Sequence, residues 1–186
     1  MMDSFLEEVV TKKNRGMQSV LYVLANIVWV LLAVYAFLQL QNVTFSLSTT
    51  GFGTETVIFI VLFLISGAGA VFIFLYRDRI KLEYEYTFTN GQMDFAQVYN
   101  NKKRKSLGTM NVRNVQACGL VASGSFQRYI NMPGVKRTNW FLNRDAELFY
   151  FYFEKDSQKR IIIIEPSQEM IANIKKYIPQ GVWQNN

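Results

Sequence analysis

The side chains that most often do chemistry are scarce in this chain. There is no histidine among its 186 residues, which removes the group that most readily exchanges a proton near neutral pH and the commonest zinc ligand. Cys118 is the lone cysteine, so it has no intramolecular disulfide partner. With no histidine to activate it, its expected place is as a small apolar residue buried in a strand. Residues 119–124 hold two glycines, but no Lys-Ser or Lys-Thr follows, so a phosphate-binding loop is not formed. No carboxylate pair stands at a useful spacing and no Cys/His cluster exists. The expectation is a protein that is not an enzyme and holds no cofactor or metal.

Two other groups of residues could make contacts. Lys102, Lys103, Arg104 and Lys105 form a basic run in a chain of net charge +6, suited to anionic lipid or to a polyanion. Tyr99, Tyr129 and Trp140 could stack on bases beside that run. These aromatics serve better as core, and the run reads first as a turn contacting solvent or lipid, so nucleic acid is the least favoured partner. The second group is the small-residue run Ser66, Gly67, Ala68, Gly69 and Ala70, which allows close approach of another helix, with Ala25, Ala33 and Ala36 as matching surface. Asn26 is expected to make an interhelical hydrogen bond. The same surface offers a route to homo-oligomers.

These residues sit in two uncharged apolar blocks, 19–40 and 56–76. Each is about 21 residues, so as a helix it measures ~31 Å against a hydrocarbon core of ~30 Å. Neither block has a polar face, as a soluble core helix would. The first exceeds the ~7–15 apolar residues of a signal peptide and no A-x-A site follows it, so it is expected to be retained. Lys12, Lys13 and Arg15 precede the pair, and Arg77, Arg79 and Lys81 follow it. The intervening loop, 41–55, has no Lys or Arg. The positive-inside rule then places both termini in the cytoplasm of a multi-pass cell-membrane protein. Asn42-Val43-Thr44 matches a glycosylation acceptor, a triplet common by chance. Residues 1–18 are expected to hold a short amphipathic helix at the membrane surface, with Phe5, Leu6, Val9 and Val10 on one side.

After Lys81 the pattern alternates. Tyr84, Tyr86 and Phe88 share one face, and Asn90-Gly91 supplies a hairpin turn. A second strand is expected over 92–99, a basic turn over 100–105, and further strands over 106–110, 115–121 and 136–142. Residues 122–133 have no clear assignment. In 148–153, Phe149, Phe151 and Phe153 are expected in the core, with Tyr150 and Tyr152 on the other face. The run Ile161-Ile162-Ile163-Ile164 reads as a strand buried on both sides. Pro166, Glu169 and the stripe Met170, Ile171, Ile174, Tyr177 and Ile178 then give one amphipathic helix ending at Pro179, followed by a tail over 180–186.

The succession of strands and a closing helix over 82–179 resembles the pleckstrin-homology-like (PH-like) fold, in the bacterial form that follows paired transmembrane helices. The residues that carry the resemblance run from Tyr84 to Gly91, from Lys103 to Val115 (with Met110-Asn111-Val112-Arg113-Asn114-Val115), and from Pro166 to Pro179. The resemblance implies a membrane helical hairpin plus a mostly β α+β domain, a seven-stranded antiparallel barrel or sandwich capped by one helix. It implies no catalytic motif and no particular ligand. The function expected is a membrane-anchored cytoplasmic binding or scaffolding module with a protein partner and membrane lipid as its contacts. The alternative is a regulatory subunit whose domain contacts anionic lipid.

Overall fold

The computed structural model describes residues 4–184, which fall into two compact units. One is a helical hairpin, Asn14–Lys81; the other is a domain made of residues 4–13 together with 82–184. The hairpin is therefore inserted into the domain's sequence.

In the hairpin, α1 spans Arg15–Thr49 and α2 spans Thr54–Tyr76, followed by a 3-10 turn at Arg77–Lys81. Both helices are long and apolar enough to cross a bilayer. The loop expected over 41–55 shrinks to residues 50–53. No glycine or proline interrupts α1 between Met17 and Thr50. At its polar end the Thr44, Ser48 and Thr49 hydroxyls find acceptors within the helix, donating to carbonyls three or four residues back. Gly51, at φ 80°, then breaks it.

The less exposed residues of α1 run from Gln18 through Tyr22, Ala25, Trp29, Leu32, Ala36, Gln39 and Val43 to Ser46. Those of α2 include Thr56, Phe59, Phe63, Ser66, Ala70 and Ile73. Both series step by three and four residues, the seam of a left-handed helix pair. Ser46 and Thr56 close its loop end with their hydroxyls 2.7 Å apart.

The domain begins where a helix was expected. Residues Phe5–Val10 form strand β1, antiparallel to β2, Leu82–Thr89, with Phe5 opposite Thr89 and Val10 opposite Tyr84. Alone, six residues cannot sustain a helix; beside β2 they gain a hydrogen-bonded ladder. The apolar spacing misled because Glu8, not an apolar residue, faces inward, where its carboxylate accepts the Ser167 N–H at 3.0 Å.

β3, Gln92–Tyr99, and β4, Lys103–Asn111, complete a four-stranded sheet in the order β1-β2-β3-β4. The β2–β3 turn is Asn90-Gly91, at φ 50° and 93°, the left-handed pair whose twist matches a hairpin. Gly91 is required twice over, since a Cβ there would stand 2.9 Å from the Tyr177 ring. The next turn is Asn100-Asn101, at φ 51° and 53°. It is shorter than the basic turn expected over 100–105, because Lys103, Arg104 and Lys105 already pair with β3.

The second sheet runs β6-β8-β7-β5-β9. Its strands are β5 (Ala117–Leu120), β6 (Lys136–Trp140), β7 (Phe149–Lys155), β8 (Gln158–Ile164) and β9 (Trp183–Gln184). The described residues thus hold nine strands in two open sheets rather than a seven-stranded barrel, and two pairings, β6–β8 and β5–β9, are parallel. The expected tail supplies β9, which passes so near β5 that a Cβ on Gly119 would meet the Gln184 carbonyl oxygen at 2.7 Å. The unassigned stretch 122–133 contains a short helix, α3, Gly124–Ile130. The closing helix, α4, spans Gln168–Tyr177, with the Ser167 hydroxyl accepting the Met170 N–H.

The main core lies between the inner faces of the sheets under α4. Tyr84, Tyr86, Phe88, Met93 and Phe95 meet Phe149, Phe151, Ile162, Ile164, Met170 and Ile174. A second core covers the outer face of the second sheet, where Phe126 of α3 packs with Tyr150, Tyr152, Ile161 and Ile163. The four isoleucines are buried on both sides as expected, but so are both faces of β7: Tyr150 is as fully buried as Phe151.

Candidate interaction surfaces

The residue types that could react are used structurally. Cys118 lies in β5, fully buried in the main core. Burial pushes its thiol up to about 12, against a smaller downward pull from Lys175, so the reactive thiolate is strongly disfavoured. Burial likewise raises the Tyr86 hydroxyl, which donates to the Trp140 carbonyl and accepts the Glu165 N–H. That side chain ties the two sheets together. Among the described residues no group of His, Cys, Asp and Glu side chains could hold a metal ion.

The basic run divides between two settings. Asn100-Asn101 forms the turn, and Lys103, Arg104 and Lys105 alternate along β4, an edge strand. Arg104 Nε stands 2.7 Å from Glu85 Oε2, which ties Arg104 to the sheet. Lysines on an edge also discourage pairing with another chain. Leu82 is the register partner of Tyr99, so the turn at 100–101 lies beside the residue where the chain enters the domain. Of the aromatics considered with this run, two are engaged elsewhere: Trp140 packs on Phe95 at 4.8 Å between ring centroids, and Tyr129 on Tyr152 at 4.8 Å. Tyr99 stays beside the run, opposite Lys103, with its hydroxyl donating to Gln97 at 2.9 Å.

The small residues of α2 are used selectively. Ser66 and Ala70 are buried in the seam, and the Ser66 hydroxyl is returned to the Leu62 carbonyl at 2.7 Å. A Cβ on Gly69 would touch Leu32 at 3.4 Å, whereas one on Gly67 would meet nothing. On α1, Ala25 and Ala36 lie along the seam, and Ala33 faces outward. Asn26 bonds to the 3-10 turn that follows α2: its Oδ1 accepts from Arg77 at 2.6 Å, while its Nδ2 donates to the Tyr22 carbonyl. The Arg77 guanidinium also lies over the Trp29 and Phe74 rings, at 4.8 and 4.6 Å. Gln18 donates to the Ile80 carbonyl and the Tyr22 hydroxyl to Asp78, fixing the 3-10 turn along α1.

A polar network that residue types alone did not disclose fastens the N-terminal strand. The Asn143 side chain accepts the Lys13 N–H and donates to the Thr11 carbonyl, both at 2.9 Å. It thereby bonds residues i and i+2 as a neighbouring strand does. Asn143 is itself held by Glu165, whose carboxylate accepts its Nδ2 at 2.7 Å and its backbone N–H at 2.9 Å. Lys13 pairs with Asp145, whose carboxyl is held below the usual range by that lysine. Nothing in the local sequence at Asn143 announces this role, since Thr11 and Lys13 lie some 130 residues away.

Two open sheets closed by a C-terminal helix, interrupted in sequence by a pair of long apolar helices, define a PH-like domain bearing an apolar hairpin. The chain belongs to the family described as Bacterial PH-like domain (DUF6106), whose model matches residues 2–184. The match takes in β1 and the hairpin as well as the strands that follow them. Comparisons with curated proteins and with solved structures return no match.

Proposed function

We propose that this protein is a membrane-anchored cytoplasmic binding module: the hairpin spans the bilayer and the PH-like domain recruits a partner, with no chemistry of its own. The observation that carries the reading is the β1–β2 ladder. One strand precedes the hairpin and the other follows it, so a hairpin that spans must return the chain to the side it left. The side is assigned by charge: Lys12 and Lys13 before the hairpin, Arg15 at the start of α1, and Arg77, Arg79 and Lys81 after α2 favour the cytoplasm. Small seam residues and the Asn26–Arg77 bond suit a hairpin folded on itself in lipid, where apolar surface gives no drive to pair helices.

An impermeant thiol reagent applied to intact cells tests the topology. It should modify Ser48→Cys, near the end of α1, and spare Ser157→Cys, in the β7–β8 turn. The reverse pattern, or equal labelling of both, contradicts it. The partner is then sought by crosslinking in membranes followed by affinity purification.

A second reading, favoured by the Leu82–Tyr99 register, gives the domain a regulatory role in which Lys102, Lys103, Arg104 and Lys105 contact anionic lipid. Each basic residue near an anionic leaflet contributes about 1 kcal/mol. Reconstituted full-length chain with the four residues changed to Gln should lose salt-sensitive binding to added anionic vesicles. Unchanged binding removes this run from any membrane role.

A further inference from the structure

The outer faces of the two sheets are treated differently. On the second sheet, α3 lays Phe126 and Tyr129 over Tyr150 and Tyr152, and that face is buried. On the first sheet, register puts Phe5, Glu7 and Val9 of β1 outward beside Thr89, Thr87 and Glu85 of β2. There Phe5 is 63% exposed and Val9 49%. A shallow concavity of about 670 Å³ opens on this face, lined by Phe5, Glu7, Thr87, Asp94, Arg104 and Ser106.

We infer that the outward face of the β1–β4 sheet docks a cationic, partly apolar segment of a partner protein. The charge of the face carries the choice of occupant. Arg104 is already paired with Glu85 at 2.7 Å. Asp94 accepts the Thr109 hydroxyl, a neutral donor that leaves its charge in place. Glu7 and Asp94 therefore make the concavity anionic in a chain whose net charge is +6. An anionic leaflet or a nucleic acid is repelled by such a face, and a Lys or Arg side chain is attracted. Spacing narrows the segment further. The outward row of β1 reads apolar, acidic, apolar at alternate residues, about 7 Å apart. Its complement has one cation between two apolar side chains. This inference rests on the binding-module reading and names the class of partner.

The test uses full-length protein in nanodiscs of zwitterionic lipid, with empty discs as the control. The probe is a dye-labelled peptide, Leu-Ser-Lys-Ser-Leu-Ser-Lys, compared with its counterpart carrying Gln for Lys. The Lys peptide should bind in a salt-sensitive manner, and the Gln peptide, which lacks both cations, at least about tenfold more weakly, the loss that a single close charge pair would already give. The isosteric double variant Glu7→Gln/Asp94→Asn should lose about as much for the Lys peptide, while Lys155→Gln should change nothing. Phe5→Ser should weaken both peptides. Equal binding of the two peptides, or undiminished binding to the Glu7/Asp94 variant, overturns the inference. So does a Phe5-attached dye that enters lipid when the discs are made anionic, which would make the face a membrane surface. Conversion of the chain from dimer to monomer by the Glu7/Asp94 change would assign the face to a second copy and overturn it too. A folded chain that ignores the peptide but crosslinks a partner through another surface ends this inference and leaves the binding-module reading standing. A chain that crosslinks no partner ends both.

Discussion

The two sheets of the domain are assembled from similar alternating strands, yet one is buried on both faces and the other on one. In the second sheet Phe151 and Tyr150, adjacent on β7, are each fully buried in a different core. In the first, Tyr86 is fully buried while its neighbour Thr87 lines an open concavity. The difference shows where stability and where contact reside. A face capped from within its own domain has no surface left for a partner, whereas a bare face trades apolar burial for accessible charge.

The largest effect that would break this comparison is removal of β1, which the first sheet cannot replace. A fragment starting at Leu82 should fail to give a cooperative unfolding transition, because β2 loses one of its two partners and becomes an uncovered edge, and the Asn143–Glu165 network loses Thr11 and Lys13. A chain in which a short glycine-containing turn replaces residues 14–81 should fold and be soluble, since Val10 and Tyr84 are already register partners. Circular dichroism during heating separates the two. Cooperative folding of the Leu82 fragment would show that β1 is dispensable.

Within the core, Phe151→Ala should cost about 3–5 kcal/mol. Tyr150→Ala should cost a similar amount, because its ring is held by Phe126 and Tyr129. Denaturant titration of the soluble domain measures both, and a Tyr150→Ala cost near zero would mean that α3 does not cover the second sheet. At the other extreme, Thr87→Ala on the bare face should stay within about 0.5 kcal/mol of the parent.

The smallest effect is a pH dependence at Glu8. Burial raises its pKa above its ordinary 4.5, reinforced by Glu165 and Glu169 and opposed by the bonds from Ser167. A carboxyl with a raised folded-state pKa favours folding while protonated and loses that contribution as pH rises through the raised value. Glu8→Gln, which keeps an acceptor for Ser167, should therefore raise the melting temperature slightly at pH 7. The gain should shrink as pH falls toward 4.5. A gain that grows on acidification would contradict the assigned sign.

How far these features could be read in advance follows from how local their causes are. The β2–β3 hairpin was legible because Asn90-Gly91 encodes its own turn and Tyr84, Tyr86 and Phe88 announce one face. The isoleucine strand and α4 were legible for similar reasons. Strand β1 was not, since Phe5-Leu6-Glu7-Glu8-Val9-Val10 has no strict alternation and its partner lies more than seventy residues on. Helix α3 is too short to develop a periodic stripe. A seam within uniformly apolar helices has no amphipathic trace, so in the small-residue run of α2 and its counterpart on α1, Gly67 and Ala33 could not be told from Gly69 and Ala36. The acidic concavity eluded sequence reasoning altogether. Its residues come from four strands and acquire a common sign only once register is fixed.

The central claim is that one domain is closed by strands on both sides of the hairpin. It is tested most directly by a disulfide between Glu7→Cys and Thr87→Cys in the full-length chain, with Glu7→Cys/Glu83→Cys as the control. Glu7 and Thr87 are opposite one another on the outward face, at a Cα separation of about 5 Å for antiparallel partners, which suits the bond. Glu83 lies four residues off that register. Mild oxidation in membranes should crosslink the first pair rapidly and the second hardly at all. Equal crosslinking of both, or of neither, would contradict the β1–β2 ladder and with it the argument that both ends of the chain lie on one side of the membrane.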